Sequence, residues 1–404
     1  MPNVTTAYQG RQNSLNFLRL LLAITVLLSH QVELGGFGSD QSSPQIRAGH
    51  WAVAGFFAIS GFLITNSRRQ RSFGSYLRHR FLRIYPAFLI CLVVTAVAFA
   101  PLAELIGPGR VEWSSATHYV VDNLTLNINQ YDIRHTLDSV PFPQAWDGSL
   151  WTLYFEFACY LMIGLLLFAP VRAHRWLVLA GFVVLLVVAT EQVPGGRFIN
   201  YTELATLGTA FFAGALAALF SDRLPLLWPI ASVSAAACVA AGDVDRLATF
   251  GAIPLAYLLL WLGARLRLER IGARNDISYG IYIYAFPLQQ LLVLLNVQRL
   301  GYALSSLLAV LVTLPVAAAS WFVVERPALR LARLGDRRFS GRAGRSGAEQ
   351  PGAARSGAEH SGAETLAAGP VAGTGPVAAT DPVAGTDPVA GTADAVGVQA
   401  ESGR

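Results

Sequence analysis

The sequence predicts an all-α, polytopic integral membrane protein, and three observations carry that reading. Of its 404 residues, 53% are hydrophobic and only 14% are charged, so the remainder is too small to build a water-facing surface. Apolar runs approaching the roughly 20 residues that a helix needs to cross lipid recur from Leu15 onward, separated by short polar breaks. The alternating pattern of a membrane barrel strand is absent, and backbone amides in lipid must bond within their own segment, so each run reads as a helix.

Taken in order, ten spans are expected near residues 14–34, 51–66, 77–106, 150–169, 175–190, 203–220, 224–241, 247–263, 276–296 and 302–324. Residues 1–13 precede them as a short N-terminus. Met1 to Arg11 followed by an apolar run has the outline of a signal peptide, but the run contains Arg19 and His30 and no small-residue cleavage site, so it reads as an anchor. The third span could bend at Pro86. One membrane domain thus covers residues 14–335. After Leu334 the chain turns to Gly, Ala, Pro and Ser, with Ser-Gly-Ala-Glu at Ser346, Ser356 and Ser361 and Pro-Val-Ala at Pro370, Pro376, Pro382 and Pro388. Such a segment cannot bury a core, and residues 336–404 are expected to form a disordered cytoplasmic tail.

Orientation follows from arginine, since the chain contains no lysine. Arg68, Arg69, Arg71, Arg78, Arg80 and Arg83, then Arg172 and Arg175, Arg223, and Arg265, Arg267, Arg270 and Arg274 fall in alternate loops. The intervening loops hold only Arg47, Arg110, Arg134, Arg197, Arg246 and Arg299. The first set is therefore assigned to the cytoplasm, and both termini with it. Cys91, Cys159 and Cys238 fall in spans at no metal-ligand spacing, so neither disulfide nor metal is expected.

Ionisable groups inside spans are costly and usually face a partner, a cavity or a pathway. The first span has three. Arg19 and His30 are separated by ten residues, and an eleven-residue step at about 100° each returns to within roughly 20° of the same direction, about 16 Å along the axis. Glu33 continues that face. Snorkelling to the two interfaces would account for each residue singly, but their alignment favours a buried polar lining. Histidine is the best base available near neutrality. His50, His118 and His135 are placed in outer loops, His79 and His174 at the cytoplasmic side and His360 in the tail, which leaves His30 as the intramembrane one.

Glu156 in the fourth span lies about 9 Å below the outer surface and His30 about 6 Å, so a carboxylate orienting the imidazole is expected, with a helix–helix polar clasp as the alternative. Arg80 and Arg83, spaced i to i+3 at the start of the third span, share a face that suits a phosphate, although arginines there also satisfy the positive-inside rule.

With these residues in place, the chain resembles acyltransferase family three, membrane enzymes that O-acylate bacterial polysaccharides, O-antigens and some macrolides. Arg19 and His30 match the family's spaced arginine and histidine. Gly55-Phe56-Phe57-Ala58-Ile59-Ser60-Gly61-Phe62-Leu63-Ile64-Thr65 matches its second-helix signature, and Arg80-Phe81-Leu82-Arg83-Ile84-Tyr85-Pro86 its double-arginine motif. Ser149-Leu150-Trp151-Thr152-Leu153-Tyr154-Phe155-Glu156, Ser278-Tyr279-Gly280-Ile281-Tyr282-Ile283-Tyr284-Ala285-Phe286-Pro287 and Glu325-Arg326-Pro327 are similar to the later ones. Two departures stand out: Ala285 where the family often has histidine, and Phe157 where a second glutamate is frequent.

The resemblance implies a bacterial plasma-membrane O-acyltransferase using acyl-CoA, in the first instance acetyl-CoA, as donor and a hydroxyl of a surface or lipid-linked glycan as acceptor. A macrolide or other small secondary metabolite is the competing acceptor. It also implies His30 as base or acyl carrier, Arg19 on the donor path, Glu156 orienting His30, Arg80, Arg83 and Tyr85 binding the donor, and Glu33, Ser60, Trp151 and Tyr279 in support. No permanently bound cofactor, metal or nucleic-acid partner is expected. A transporter or flippase is the reading of a different class, since it too uses intramembrane charge; a membrane sensor signalling through the tail is a third.

Overall fold

The computed structural model describes residues 3–9, 13–40, 43–191, 199–243, 247–334 and 336. Apart from Asp336, the tail expected over 336–404 lies outside the described residues. These are helical, with no β-strand among them beyond an isolated bridge between Asn3 and Pro225.

A short α1, Val4–Tyr8, leads into α2, Leu15–Leu34, and α3, Pro44–Arg69. The second helix starts seven residues earlier than expected because Ser43 caps it, its Oγ accepting from the Ile46 amide at 3.4 Å, and Pro44 supplies a preset first turn. His50, expected in an outer loop, is therefore on the helix. The helix α4, Phe73–Val94, continues without a break past Pro86 and meets a π turn at Thr95–Phe99 before α5, Ala100–Ile106. Next come α6, Trp113–Val121, α7, Trp151–Leu166, α8, His174–Glu191, α9, Ile199–Leu219, α10, Trp228–Asp243, and α11, Leu247–Phe250. The last three are α12, Ala252–Arg265, α13, Ser278–Leu294, and α14, Tyr302–Ser320, which continues through a π turn at Trp321–Glu325.

Helix passes through all the stretches expected to span. By length and composition, six helices among the described residues are long and apolar enough to cross a membrane: Leu15–Leu34, Pro44–Arg69, Phe73–Ile106, Val171–Glu191, Tyr201–Leu219 and Tyr302–Leu334. The helices α7, α10, α12 and α13 are shorter. At 1.5 Å per residue, 16 residues give about 24 Å, less than the roughly 30 Å of a hydrocarbon core.

The tightest helix pair is α3 against α9. A Cβ on Gly61 would lie 1.8 Å from the Phe211 carbonyl oxygen, and one on Gly214 1.9 Å from that of Ala58, so two glycines let the backbones touch as small residues do in lipid. On its other side α3 packs on α2, which is clasped in turn by α13 and α14. Gln289 donates to the Leu27 carbonyl at 3.0 Å and to Gln31 Oε1 at 2.7 Å, and Gln31 donates to Ser305 at 3.3 Å. These buried amides set the register of three helices whose apolar faces alone would let them slide.

At the arginine-rich end, Asp336 accepts from Ser75 at 2.6 Å and is paired with Arg71, Arg78 and His79. Burial is the largest single influence and raises its carboxyl, but the hydrogen bonds from Ser75 and His79 and the nearby charges of His79 and Arg78 together outweigh it and hold it down at about 2. The three cysteines are buried and free.

Candidate active site

Three cavities follow one another from the arginine-rich end toward the opposite end, with α2 passing through the sequence of them. The middle one is small, about 40 Å³, room for little more than a water molecule. Arg19, Glu156, Ser278, Tyr279, Thr152 and Tyr282 line it.

An alternating ionic chain closes its lower side. Arg19 donates to Asp276 Oδ2 at 2.5 Å, and Arg83 donates to the same oxygen at 2.8 Å. The other guanidinium arm of Arg83 reaches Glu325 at 3.2 Å. Ser278 donates to Asp276 Oδ1 at 2.6 Å and Ser320 to Glu325 at 3.3 Å, so each acid has a hydroxyl as well as a cation. Arg83 also lies over the Tyr279 and Trp321 rings, 5.7 and 5.6 Å to their centroids. The Tyr279 hydroxyl donates to the Ile84 carbonyl at 2.8 Å. The chain ties α2, α4, α13 and α14 together at the level where the arginine-rich end gives way to the bundle.

The upper side of the middle cavity is closed by two hydroxyls, Thr152 and Tyr282, hydrogen-bonded to each other, with Tyr282 also donating to the Ser149 carbonyl at 2.9 Å. Both side chains line the next cavity too, which is about 410 Å³. His30 is there, its ring edge-on to Phe286 with centroids 5.1 Å apart. Glu33, His50, Gln144, Tyr131 and Trp151 share the lining. The segment between α6 and α7 supplies much of this wall, held by Trp146, whose fully buried indole donates to Thr136 at 2.7 Å.

The expected stripe on α2 is thus divided: His30 and Glu33 face the large cavity and Arg19 the small one. The expected contact between Glu156 and His30 is not made. Glu156 Oε1 accepts from Ser60 at 3.0 Å and from Tyr160 at 2.5 Å, below the Thr152–Tyr282 partition. Matched depth on two helices did not bring the groups together, because α13 places Tyr282 between the two cavities.

The expected donor set also separates. Arg83 is neutralised by its two acids. The Arg80 Nε is buried without a hydrogen-bond partner among the described residues. Tyr85 stacks on Phe81 at 4.6 Å. Asp276 and His50 escaped sequence reasoning. Asp276 is one carboxylate closing an arginine-rich loop, which is a usable signal; His50 gave none, since its helix was drawn too short. Among the described residues no group of three or more acids, histidines or cysteines is placed to hold a metal.

Comparison with known proteins bears on what this arrangement does. The family model described as an acyltransferase domain matches residues 12–323. The chain belongs to acyltransferase family three. It is an O-acyltransferase on that membership. An O-acetyl transferase of Shigella phage Sf6 is 29% identical over 352 residues, covering 78% of this chain and 96% of that protein. Nodulation protein 10 of Rhizobium leguminosarum bv. viciae is 27% identical, covering 80% of this chain and 94% of its own. Acyltransferase MdmB of Streptomyces mycarofaciens is 29% identical over 46% of this chain and 48% of that protein. No solved structure matches the chain.

Proposed function

We propose that this protein carries an acetyl group from acetyl-CoA, entering at the arginine-rich end, to a hydroxyl of a surface or lipid-linked glycan held in the His30 cavity. One observation carries the reading: a histidine cavity and an arginine cavity stacked along α2, in a chain aligned over most of its length with a protein named O-acetyl transferase.

In this reading a neutral His30 accepts the proton of the acceptor hydroxyl as its oxygen attacks the thioester carbonyl. The new carbon–oxygen bond forms, the carbon–sulfur bond breaks, and the departing thiolate takes the proton from the imidazolium. An acyl-histidine formed first would divide the same transfer into two steps. Arg19 and Glu156 border the route of the donor's arm, which has to part the Thr152–Tyr282 bond to bring its acyl group to His30. Glu156, held by Ser60 and Tyr160, acts on that route and not on the imidazole. Tyr131, Trp151 and Phe142, which line the cavity together with Gln144 and Glu33, offer flat faces and hydrogen-bonding groups suited to a sugar ring.

The protein is taken to lie in a bacterial plasma membrane with ten spans. The four shorter helices cross within the bundle, and the arginine-rich end and both termini face the cytoplasm. Radiolabelled acetyl-CoA supplied to reconstituted protein with membrane glycan tests the reading. Label is expected in the glycan; label in a small secondary metabolite would replace the acceptor, and no transfer from acetyl-CoA to any hydroxyl would overturn the proposal.

A further inference from the structure

If acyl-CoA is the donor, as proposed above, its phosphates need a cationic site, and of the arginine pair expected to provide one, Arg83 is neutralised by Asp276 and Glu325. A different cavity, about 650 Å³, opens beside that pair, a size typical of small-molecule sites. Arg326, Arg330 and Arg333 line it from the helical turn after α14, at spacings of four and three that put all three on one face. Arg274 joins them from the loop before α13. None of the four has an acidic partner among the described residues.

Among the described residues the one carboxylate in the lining is Asp276, which Arg19 and Arg83 already neutralise. Among the described residues the cavity therefore holds a concentrated positive charge with no free internal counter-ion. The positive-inside rule accounts for arginines at this end of the bundle, but not for the convergence of four of them on a single concavity. At the end of the π turn at Trp321–Glu325, Glu325 is buried while its neighbour Arg326 is exposed and lines the cavity. Location supplies the second half of the case. Asp276 borders this cavity and bonds Arg19, which lines the middle cavity. A molecule with its anionic end among the arginines thus has its other end at the Arg19–Asp276 pair, the entrance to the column that leads to His30.

We infer that the cavity of Arg274, Arg326, Arg330 and Arg333 binds phosphate esters and receives the nucleotide phosphates of the acyl-CoA donor. A phosphate on a lipid headgroup has the same chemistry, so the test separates the two sources. Calorimetric titration of the full-length protein in zwitterionic nanodiscs, with CoA and with 3′-dephospho-CoA, would be compared between wild type and the Arg326→Gln/Arg330→Gln/Arg333→Gln variant. Three exposed charge contacts removed together should weaken CoA binding by about tenfold. The variant should bind dephospho-CoA with a smaller loss and show a shallower dependence on salt. Arg330→Gln alone, an exposed position that leaves folding intact, should show part of the same loss. Arg172→Gln, an exposed arginine on the connection between α7 and α8, should show none.

Wild-type affinity for CoA retained in the triple variant would overturn the inference while leaving the acyl-CoA reading in place. The same result accompanied by loss of thermal stabilisation by phosphatidylglycerol would assign the cavity to lipid. A wild-type protein that binds no CoA would instead overturn the reading on which the inference rests.

Discussion

Replacing Asp276 by asparagine removes the negative charge from an oxygen that accepts from Arg19 at 2.5 Å and from Arg83 at 2.8 Å. The two arginine side chains are 19% and 13% exposed and the aspartate 15%, so water can replace little of what is lost. Breaking a buried pair by removing one partner costs about 3–5 kcal/mol, because the other charge is left uncompensated. Arg83 keeps Glu325 at 3.2 Å, so the orphan is chiefly Arg19, and the lower end, about 3 kcal/mol, is expected. Denaturant unfolding in detergent measures it, with Arg19→Gln and the double variant completing a cycle. The double variant should be more stable than the sum of the singles predicts, with a coupling of about 1–3 kcal/mol. A cost for Asp276→Asn below about 0.5 kcal/mol, without coupling to Arg19, would refute the reasoning.

Three further outcomes follow from particular contacts. Asp147 is 2% exposed, and burial pushes its carboxyl up to about 7 against the lowering hydrogen bonds from Ser149. The folded protein therefore retains a proton that the unfolded chain releases near its ordinary value of about 4, so stability falls as pH rises from about 4 to 7 and then levels. Asp147→Asn should flatten the melting temperature across that window, and an unchanged slope would count against it. Gly61→Ala puts a methyl 1.8 Å from the Phe211 carbonyl oxygen, and separating α3 from α9 should cost about 1–3 kcal/mol in the same unfolding assay. Tyr282→Phe removes the hydroxyl that bonds Thr152 and Ser149; kcat for transfer should change by more than the Kd for CoA, whereas a purely structural role would lower the melting temperature and leave the kinetic ratio alone.

Much of the fold was legible because lipid leaves the chain few options: a run of apolar residues must be a helix there, and helix was found through each expected stretch. What sequence did not convey is where helices stop. Ser43 and Pro44 lengthened α3 enough to bring His50 into the His30 cavity, and Asp276, bonded to Ser278, begins α13 two residues late. The site was legible where one helix determines it. Arg19 and His30 lie on α2, and helical pitch alone relates them. Glu156 failed as a partner for His30 because their relation depends on how α7 and α13 are rotated about their axes, and helical pitch says nothing of that. Arg80 and Arg83 were chosen for their shared face, yet which acids neutralise them is decided by Asp276 and Glu325, far away in sequence. Of the arginines after α14, Arg326 was noted only within Glu325-Arg326-Pro327, and Arg330 and Arg333 not at all, because at a span's end they look like any positive-inside residues.

The central claim is that His30 accepts the acceptor's proton in a cavity reached from the arginine-rich end. Its most direct test is the rate at which labelled acetyl groups leave acetyl-CoA for the acceptor in reconstituted vesicles, measured for wild type and for His30→Ala shown to fold by its melting temperature. Removal of a general base predicts a loss of about 100-fold or more, with CoA affinity retained. Transfer by the alanine variant at the wild-type rate would contradict it.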